Sequence, residues 1–104
     1  MTPEGKVKAA VKRYLKSWDV FTDWPVPSGF GKSTLDCMVI CNGSVMWIET
    51  KAKGKVLTDR QASLAHELDR HGCEIIVIDT HETYTQGYVQ VFHWMERHRA
   101  KRLK

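Results

Sequence analysis

The chain has 104 residues, of which 42% are hydrophobic and 27% charged, and its formal net charge is +4 at neutral pH. This composition predicts one globular domain over residues 1–104 and excludes a disordered or collagen-like chain. No apolar run approaches the ~18 residues of a membrane span, so no membrane partner is expected. The positive charge favours a polyanion such as nucleic acid, although a solvated basic surface explains it equally well.

The cysteines indicate the compartment. Their number, three, is odd and does not favour a disulfide framework. Cys37, Cys41 and Cys73 all fall in apolar, strand-like runs, so we expect buried thiols in a reducing environment. No signal-peptide-like segment opens the sequence. We therefore expect a cytoplasmic protein.

The first predicted helix begins after Thr2, a favoured N-cap residue, with Pro3 at the first helical position. Its apolar stripe consists of Val7, Val11, Tyr14, Leu15 and Trp18. Glu4 lies on the apolar side, where it either reaches a polar site or interacts with the helix dipole. The basic residues of this helix that we expect to bind DNA phosphates are Lys6, Lys8, Lys12 and Arg13.

A β-hairpin is the clearest signal that follows. Residues 35–41 and 45–51 are apolar runs separated by Asn42 and Gly43, the dipeptide favoured in two-residue hairpin turns. A short strand is expected before it within residues 20–26, followed by a flexible loop at residues 28–31. Both faces of the hairpin are apolar, so we expect helices or a partner on both sides.

The second half of the chain predicts two helices and one strand. Thr58 caps a helix that ends near Gly72 and carries Gln61 on its inner stripe. Residues 73–79 form a nearly continuous apolar run that suits an interior strand. Residues 88–99 show the apolar spacing of a final helix.

The hairpin turn fixes which side chains face each other. A two-residue turn at Asn42 and Gly43 places Asp36 directly opposite Glu49. Two like charges in such a cross-strand pair are destabilising unless something positive lies between them. A divalent cation would remove this repulsion.

Lys51 lies two residues beyond Glu49, so strand alternation places both on one face. Mg²⁺ prefers oxygen ligands and often takes only one or two carboxylates, and the Thr50 carbonyl is a further candidate. Lys51 could then orient the nucleophile or stabilise the charge of the transition state during hydrolysis. The alternative explanation for the three charged residues is a surface salt bridge, in which Lys51 neutralises one carboxylate at the solvent end of the hairpin. Gln61 could orient a metal-bound water or the strand from Glu49 to Lys51 or, alternatively, only complete a capping box with Thr58.

These elements together resemble the PD-(D/E)XK nuclease superfamily and, within it, the compact stand-alone VRR-NUC domains of phage and bacterial genomes. The matching segments are Thr2-Pro3-Glu4 opening a helix, Ser33-Thr34-Leu35-Asp36 opening a strand, Glu49-Thr50-Lys51, and Leu57-Thr58-Asp59-Arg60-Gln61 before the strand at residues 74–79. Leu35 departs from the pattern, because the family often has proline before the aspartate.

The resemblance implies an α/β, restriction-endonuclease-like fold, with a mixed central β-sheet flanked by α-helices. It implies a DNA endonuclease dependent on Mg²⁺ or Mn²⁺, in which Asp36, Glu49 and the Thr50 carbonyl bind the metal. Lys51 matches the catalytic lysine, and Glu4 and Gln61 match accessory polar residues. It also implies a homodimer that cuts branched DNA such as Holliday junctions, in the cytoplasm of a bacterial or phage-infected cell.

In the nuclease we expect Lys32, Lys53 and Lys55 to bind the DNA backbone as well. Other interpretations remain open. One alternative is a basic DNA-binding module without catalysis, in which the first helix with Lys53 and Lys55 holds phosphates and the carboxylate pair is vestigial. Another is a subunit of a DNA repair or packaging complex. A P-loop ending at Lys32 is rejected because Val26 replaces the required glycine, and zinc is disfavoured because no paired ligand spacing exists.

Overall fold

A computed structural model describes residues 1–26 and 34–103, so the loop expected at residues 28–31 and the cation Lys32 lie outside the described residues. Within these ranges the elements follow in the order α1 (Pro3–Leu15), β1 (Trp18–Asp19), β2 (Phe21–Asp23), β3 (Cys37–Cys41), β4 (Ser44–Thr50), α2 (Asp59–Arg70), β5 (Glu74–Ile78), α3 (Gln86–Arg97) and β6 (Lys101–Arg102). The chain is therefore a mixed α/β structure.

The main sheet has four strands in the order β2-β3-β4-β5, with antiparallel pairing except between β4 and β5, which are parallel. The hairpin register is the predicted one, from Cys37 opposite Ile48 to Cys41 opposite Ser44. Asn42 and Gly43 make the turn with positive φ angles of 49° and 84°. This conformation suits asparagine and glycine, which explains why the sequence predicts the register correctly.

The hydrophobic core lies on one face of the sheet. Its buried side chains come from α1, α3 and alternate positions of the strands. Ile48 belongs to this core, whereas its neighbour Glu49 bonds to Gln61 of α2. Because successive strand residues point to opposite faces, α2 lies on the other side of the sheet from α1 and α3. The expectation that helices lie on both sides of the hairpin is confirmed.

The predicted helix caps are confirmed at both starts. The Thr2 hydroxyl accepts the Gly5 N–H at 3.0 Å, and Thr58 and Gln61 form the full capping box of α2. Gly72 follows α2 with a φ of 94°, as a helix-ending glycine should. The last helix, Gln86–Arg97, lies two residues earlier than predicted.

Trp18 is not helical, which corrects its assignment to the first helix. That helix stops at Leu15, where the Ser17 N–H and hydroxyl both bond to the Tyr14 carbonyl at 3.0 and 2.6 Å. Trp18 instead pairs with Arg102 in a two-stranded sheet that the sequence did not predict. It is nevertheless buried in the core, at 5% exposure.

The strand β5 is an edge strand, so the prediction of an interior strand is wrong. It pairs only with β4 among the described strands, and Val77 remains 40% exposed. An apolar run of this length fits one covered face as well as two, and the sequence does not distinguish them. Among the described helices none is long and apolar enough to cross a membrane.

The cysteines are free thiols, as predicted. Cys37 and Cys41 are buried, and Cys73 is partly buried. Burial raises the pKa of the Cys37 thiol to about 12, with the negative charges of Asp23 and Asp36 adding to the shift. A buried, protonated thiol is a weak nucleophile, so Cys37 has a structural role.

Candidate functional site

The carboxylates predicted to form the site lie where β3 begins and β4 ends. The regular ladder stops at the pair Cys37 and Ile48, and Asp36 forms a bend just before it. The Asp36 N–H donates to Glu49 Oε1 at 3.0 Å. The two residues therefore meet across the hairpin as the register requires.

The Asp36 carboxylate differs from the expectation in its direction. It does not face the Glu49 carboxylate squarely but bonds to Thr50, whose N–H and hydroxyl donate to Oδ2 at 3.0 and 2.5 Å. The bend makes this possible, because Asp36 lies beyond the last ladder pair. The hydrogen bond from the Thr50 hydroxyl was not predicted from the sequence, because only the carbonyl of this residue was expected to take part in the site.

Glu49 is the most constrained charged group of the site, at 2% exposure. Its Oε2 accepts Gln61 Nε2 at 2.8 Å and lies 3.6 Å from Lys51 Nζ. Burial raises the pKa of Glu49, and the negative charge of Asp36 raises it further, while the Asp36 N–H and Lys51 oppose the shift. A positive charge close to the pair, such as the Lys51 ammonium, therefore favours the ionised form of Glu49.

Gln61 completes the capping box and also bonds to Glu49, so the two interpretations from the sequence are compatible. Its side-chain Oε1 accepts the Thr58 N–H at 3.0 Å, while its backbone N–H donates to the Thr58 hydroxyl at 3.2 Å. Its Nε2 remains available for the hydrogen bond to Glu49. The capping box therefore fixes the side chain that orients the Glu49 carboxylate.

Lys51 is buried at 9% exposure, immediately after the end of β4. Its N–H donates to the Ile78 carbonyl at 3.0 Å, which continues the parallel pairing with β5 and fixes the backbone. A buried ammonium is costly unless it is paired, and here Glu49 is its partner. This burial argues against the alternative of an exposed surface salt bridge.

Lys8 extends the site toward α1. Its Nζ lies 3.9 Å from Asp36 Oδ1 and is partly exposed. The sequence predicted Lys8 as a DNA-binding cation but did not place it beside the aspartate. Glu4, one helical turn earlier, is exposed, and no hydrogen bond or ion pair links it to the site within the described part of the chain.

The other predicted cations that the structure describes are exposed. Lys53 and Lys55 lie in the loop that follows Lys51, and Lys6 and Arg13 lie on α1. A cavity of about 360 Å³ is lined by Lys6 and Lys53 together with residues 79–82. The cation Lys12 lies over the Trp24 ring, with its Nζ 4.9 Å from the ring centroid.

The donors fit a hard divalent cation. In the parts of the chain that the structure describes, no three His, Cys, Asp or Glu side chains converge on one point, and the site offers two carboxylates. This number suffices for Mg²⁺, which usually keeps several waters. Asp36 Oδ1 accepts no hydrogen bond from the described residues, and the two carboxylates repel each other. Asp36 and Glu49 are therefore the side chains suited to such a cation, and the part of the Thr50 carbonyl stays a prediction.

Comparisons with known proteins identify no relative of this chain. No protein-family profile, no curated protein and no solved structure matches this chain. The functional assignment consequently depends on the geometry of Asp36, Glu49, Thr50 and Lys51.

Proposed function

We propose that this chain is a Mg²⁺- or Mn²⁺-dependent DNA endonuclease of the VRR-NUC type, with a restriction-endonuclease-like fold. One observation carries the proposal. Asp36 and Glu49 are joined by a hydrogen bond at the open end of a hairpin, and Lys51 contacts the same Glu49 carboxylate from one side at 3.6 Å. Two carboxylates and an ammonium so arranged match the needs of phosphodiester hydrolysis.

Each residue has a distinct part in this proposal. Asp36, Glu49 and the Thr50 carbonyl hold the cation, which, when bound, neutralises phosphate charge and makes a water molecule more acidic. Gln61 fixes the Glu49 carboxylate through its 2.8 Å bond. Lys51 stabilises the negative charge that grows on the phosphoryl oxygens as water bonds to phosphorus and the bond to the leaving oxygen breaks.

The basic residues bind the DNA backbone in this account. Lys8 is the closest to the carboxylates, and Lys53 and Lys55 follow Lys51 on an exposed loop. The wider set that we propose for phosphate contacts adds Lys6, Lys12, Arg13 and Lys32. Glu4, at the exposed start of α1, is proposed as an accessory group that acts on the site through solvent or Lys8.

A homodimer acting on branched DNA completes the proposal. The edge strand β5 leaves one row of backbone donors and acceptors without a strand partner among the described residues, and Val77 is exposed on it. Such an edge is a natural surface for a second copy. Two copies related by twofold symmetry would place two sites on opposite strands of a junction. We expect this to occur in the cytoplasm of a bacterial or phage-infected cell.

The proposal is tested by incubating the protein with labelled four-way junctions and matched linear duplexes in the presence of Mg²⁺, Mn²⁺ or EDTA. Cutting of the junction with either metal, and none in EDTA, supports the endonuclease. Paired cuts and a dimeric mass in solution support the homodimer. Binding without cutting under every condition would favour a DNA-binding module or a subunit of a repair or packaging complex.

A further inference from the structure

A second cavity, separate from the carboxylate site, lies between α1 and the strands β1 and β2. Its volume is about 320 Å³, within the range of small-ligand pockets. Its lining includes Lys12, Lys16, Trp18, Val20, Thr22 and Trp24. The pocket thus combines two indole rings with two ammonium groups.

The two tryptophans differ in what they offer the pocket. Trp24 is half-buried, and Lys12 Nζ lies 4.9 Å from the centroid of its ring, a geometry in which the π face attracts the ammonium. Trp18 is 5% exposed, and its buried indole N–H has no acceptor among the described residues. That N–H is enclosed by the protein and does not open into the cavity, so the Trp24 ring and the ammonium groups of Lys12 and Lys16 determine what the pocket suits. A flat aromatic group joined to an anion fits such a lining, and a nucleobase with its phosphate has both features.

The position of the pocket relative to the carboxylates is set by α1. Lys8, Lys12 and Lys16 are spaced four residues apart, so they lie on nearly one side of the helix, about 6 Å apart along its axis. Lys8 is the residue whose Nζ lies 3.9 Å from Asp36, whereas Lys12 and Lys16 line the pocket. The row of ammonium groups therefore leads from the carboxylate site to the pocket.

We propose that this pocket holds one unpaired base of a single-stranded segment, with the base stacked on Trp24 and the strand's phosphates on Lys8, Lys12 and Lys16. The inference deepens the proposed nuclease function by naming the substrate feature that the site would select. A base inside a duplex is stacked and paired and does not fit such a pocket without being extruded. Junctions and flaps with unpaired nucleotides would therefore be preferred over blunt duplex.

The test is a binding experiment in EDTA, so that it does not depend on cleavage. Labelled oligothymidylate and a blunt duplex of equal length are titrated by fluorescence anisotropy. Stacking of a base on an aromatic side chain predicts that Trp24→Ala weakens single-strand binding about 5- to 150-fold. Binding of the blunt duplex should change less than about twofold, because the duplex offers no free base.

Three further variants separate stacking from charge and from loss of folding. Trp24→Phe keeps an aromatic face and should retain most of the affinity. Phe21→Ala removes an exposed ring from β2, next to the pocket residue Thr22 but on the opposite face of the strand, and should bind like the wild type. Lys16→Ala should reduce the dependence of binding on salt by the contribution of about one phosphate, whereas Trp24→Ala should leave that dependence unchanged.

The outcomes distinguish the pocket from the nuclease. Equal single-strand affinity of Trp24→Ala and wild type, or equal losses on single strand and duplex, would overturn the base pocket and leave the nuclease standing. Selective loss in Trp24→Ala by a protein that never cuts DNA would retain the pocket and reject the nuclease. Circular dichroism of each variant shows whether the fold is intact.

Discussion

Thr50 donates two hydrogen bonds to one oxygen of Asp36, from its backbone N–H at 3.0 Å and from its hydroxyl at 2.5 Å. Thr50 is fully buried, so no water competes for these donors. Thr50, which lies between Glu49 and Lys51, therefore fixes the direction of the Asp36 carboxylate just before β3. Its side chain is part of the site and not only a connection between Glu49 and Lys51.

Replacing this threonine by valine tests that role. Thr50→Val keeps the shape and the N–H but removes the hydroxyl donor to a charged acceptor, which should lower the free energy of unfolding by about 1.5 to 3 kcal/mol. Cleavage should fall as well, because Asp36 loses a constraint on its direction. Urea denaturation and a cleavage assay measure the two effects. Thr50→Ser restores the hydroxyl and should recover both, and no recovery would contradict this role.

The two functions of Gln61 are separable by mutation. Gln61→Glu keeps the oxygen that accepts the Thr58 N–H but replaces the donor to Glu49 by a third negative charge, so cleavage should be lost while α2 remains capped. Thr58→Ala removes the capping hydroxyl and should cost about 0.5 to 2 kcal/mol of stability with cleavage largely retained. Thermal unfolding and cleavage rates report the two effects. Equal effects of both variants on cleavage would argue that Gln61 acts only as a cap.

Much of this arrangement follows from the sequence, for identifiable reasons. The Asn42-Gly43 turn fixes the hairpin register and so brings Asp36 to Glu49, because the turn geometry depends only on local residues. The Thr2 cap of α1 and the capping box of α2 are local as well. The helix assigned to Trp18 and the interior position assigned to β5 are wrong because they depend on distant partners: Trp18 pairs with Arg102, and the edge of a sheet has no local signal.

The finer geometry of the site also required the structure. Period-two alternation places the Asp36 side chain on the same face as Glu49. The pairing of β3 with β4 begins only at Cys37, however, so Asp36 lies outside it and its carboxylate bonds to Thr50 instead. The approach of Lys8 to Asp36 likewise depends on how α1 packs on the sheet. Neither strand alternation nor helix periodicity contains this information.

A divalent cation should stabilise the folded protein through Asp36. The charge of Asp36 disfavours ionised Glu49, and a bound cation removes that repulsion. In saturating Mg²⁺ the wild type should gain unfolding free energy, by about 2.7 kcal/mol at a hundredfold excess over the dissociation constant. Asp36→Asn should be at least as stable as the wild type in EDTA, because asparagine keeps an oxygen for Thr50, and should gain little from Mg²⁺.

The matched control for this measurement is Asp69→Asn, which changes an exposed carboxylate on α2 far along the helix from Gln61. It should respond to Mg²⁺ like the wild type. Calorimetric scans with Mg²⁺ and with EDTA compare the three proteins. Equal stabilisation of Asp36→Asn and wild type would place the cation elsewhere.

The thiols should react at very different rates. Cys37 is fully buried, and its pKa is raised to about 12, while burial also raises the pKa of Cys41. Because the thiolate is the reactive form, both should resist a thiol reagent at pH 8 in the native state, whereas the partly exposed Cys73 should react first. Mass spectrometry of the labelled peptides identifies the order. Rapid labelling of Cys37 in the native protein would contradict the packing described for the core.

The central claim, that Asp36, Glu49 and Lys51 form a hydrolytic site, is tested most directly by single-turnover cleavage of a labelled junction by the wild type, Asp36→Asn and Lys51→Ala. The account predicts metal-dependent product from the wild type and a loss of at least about 100-fold in each variant, the scale of removing one group that stabilises the transition state. Junction binding in Ca²⁺ should survive in both variants, because the other cations remain. Wild-type rates in either variant, or no product from a wild type that binds the junction with Mg²⁺ and Mn²⁺, would contradict the account.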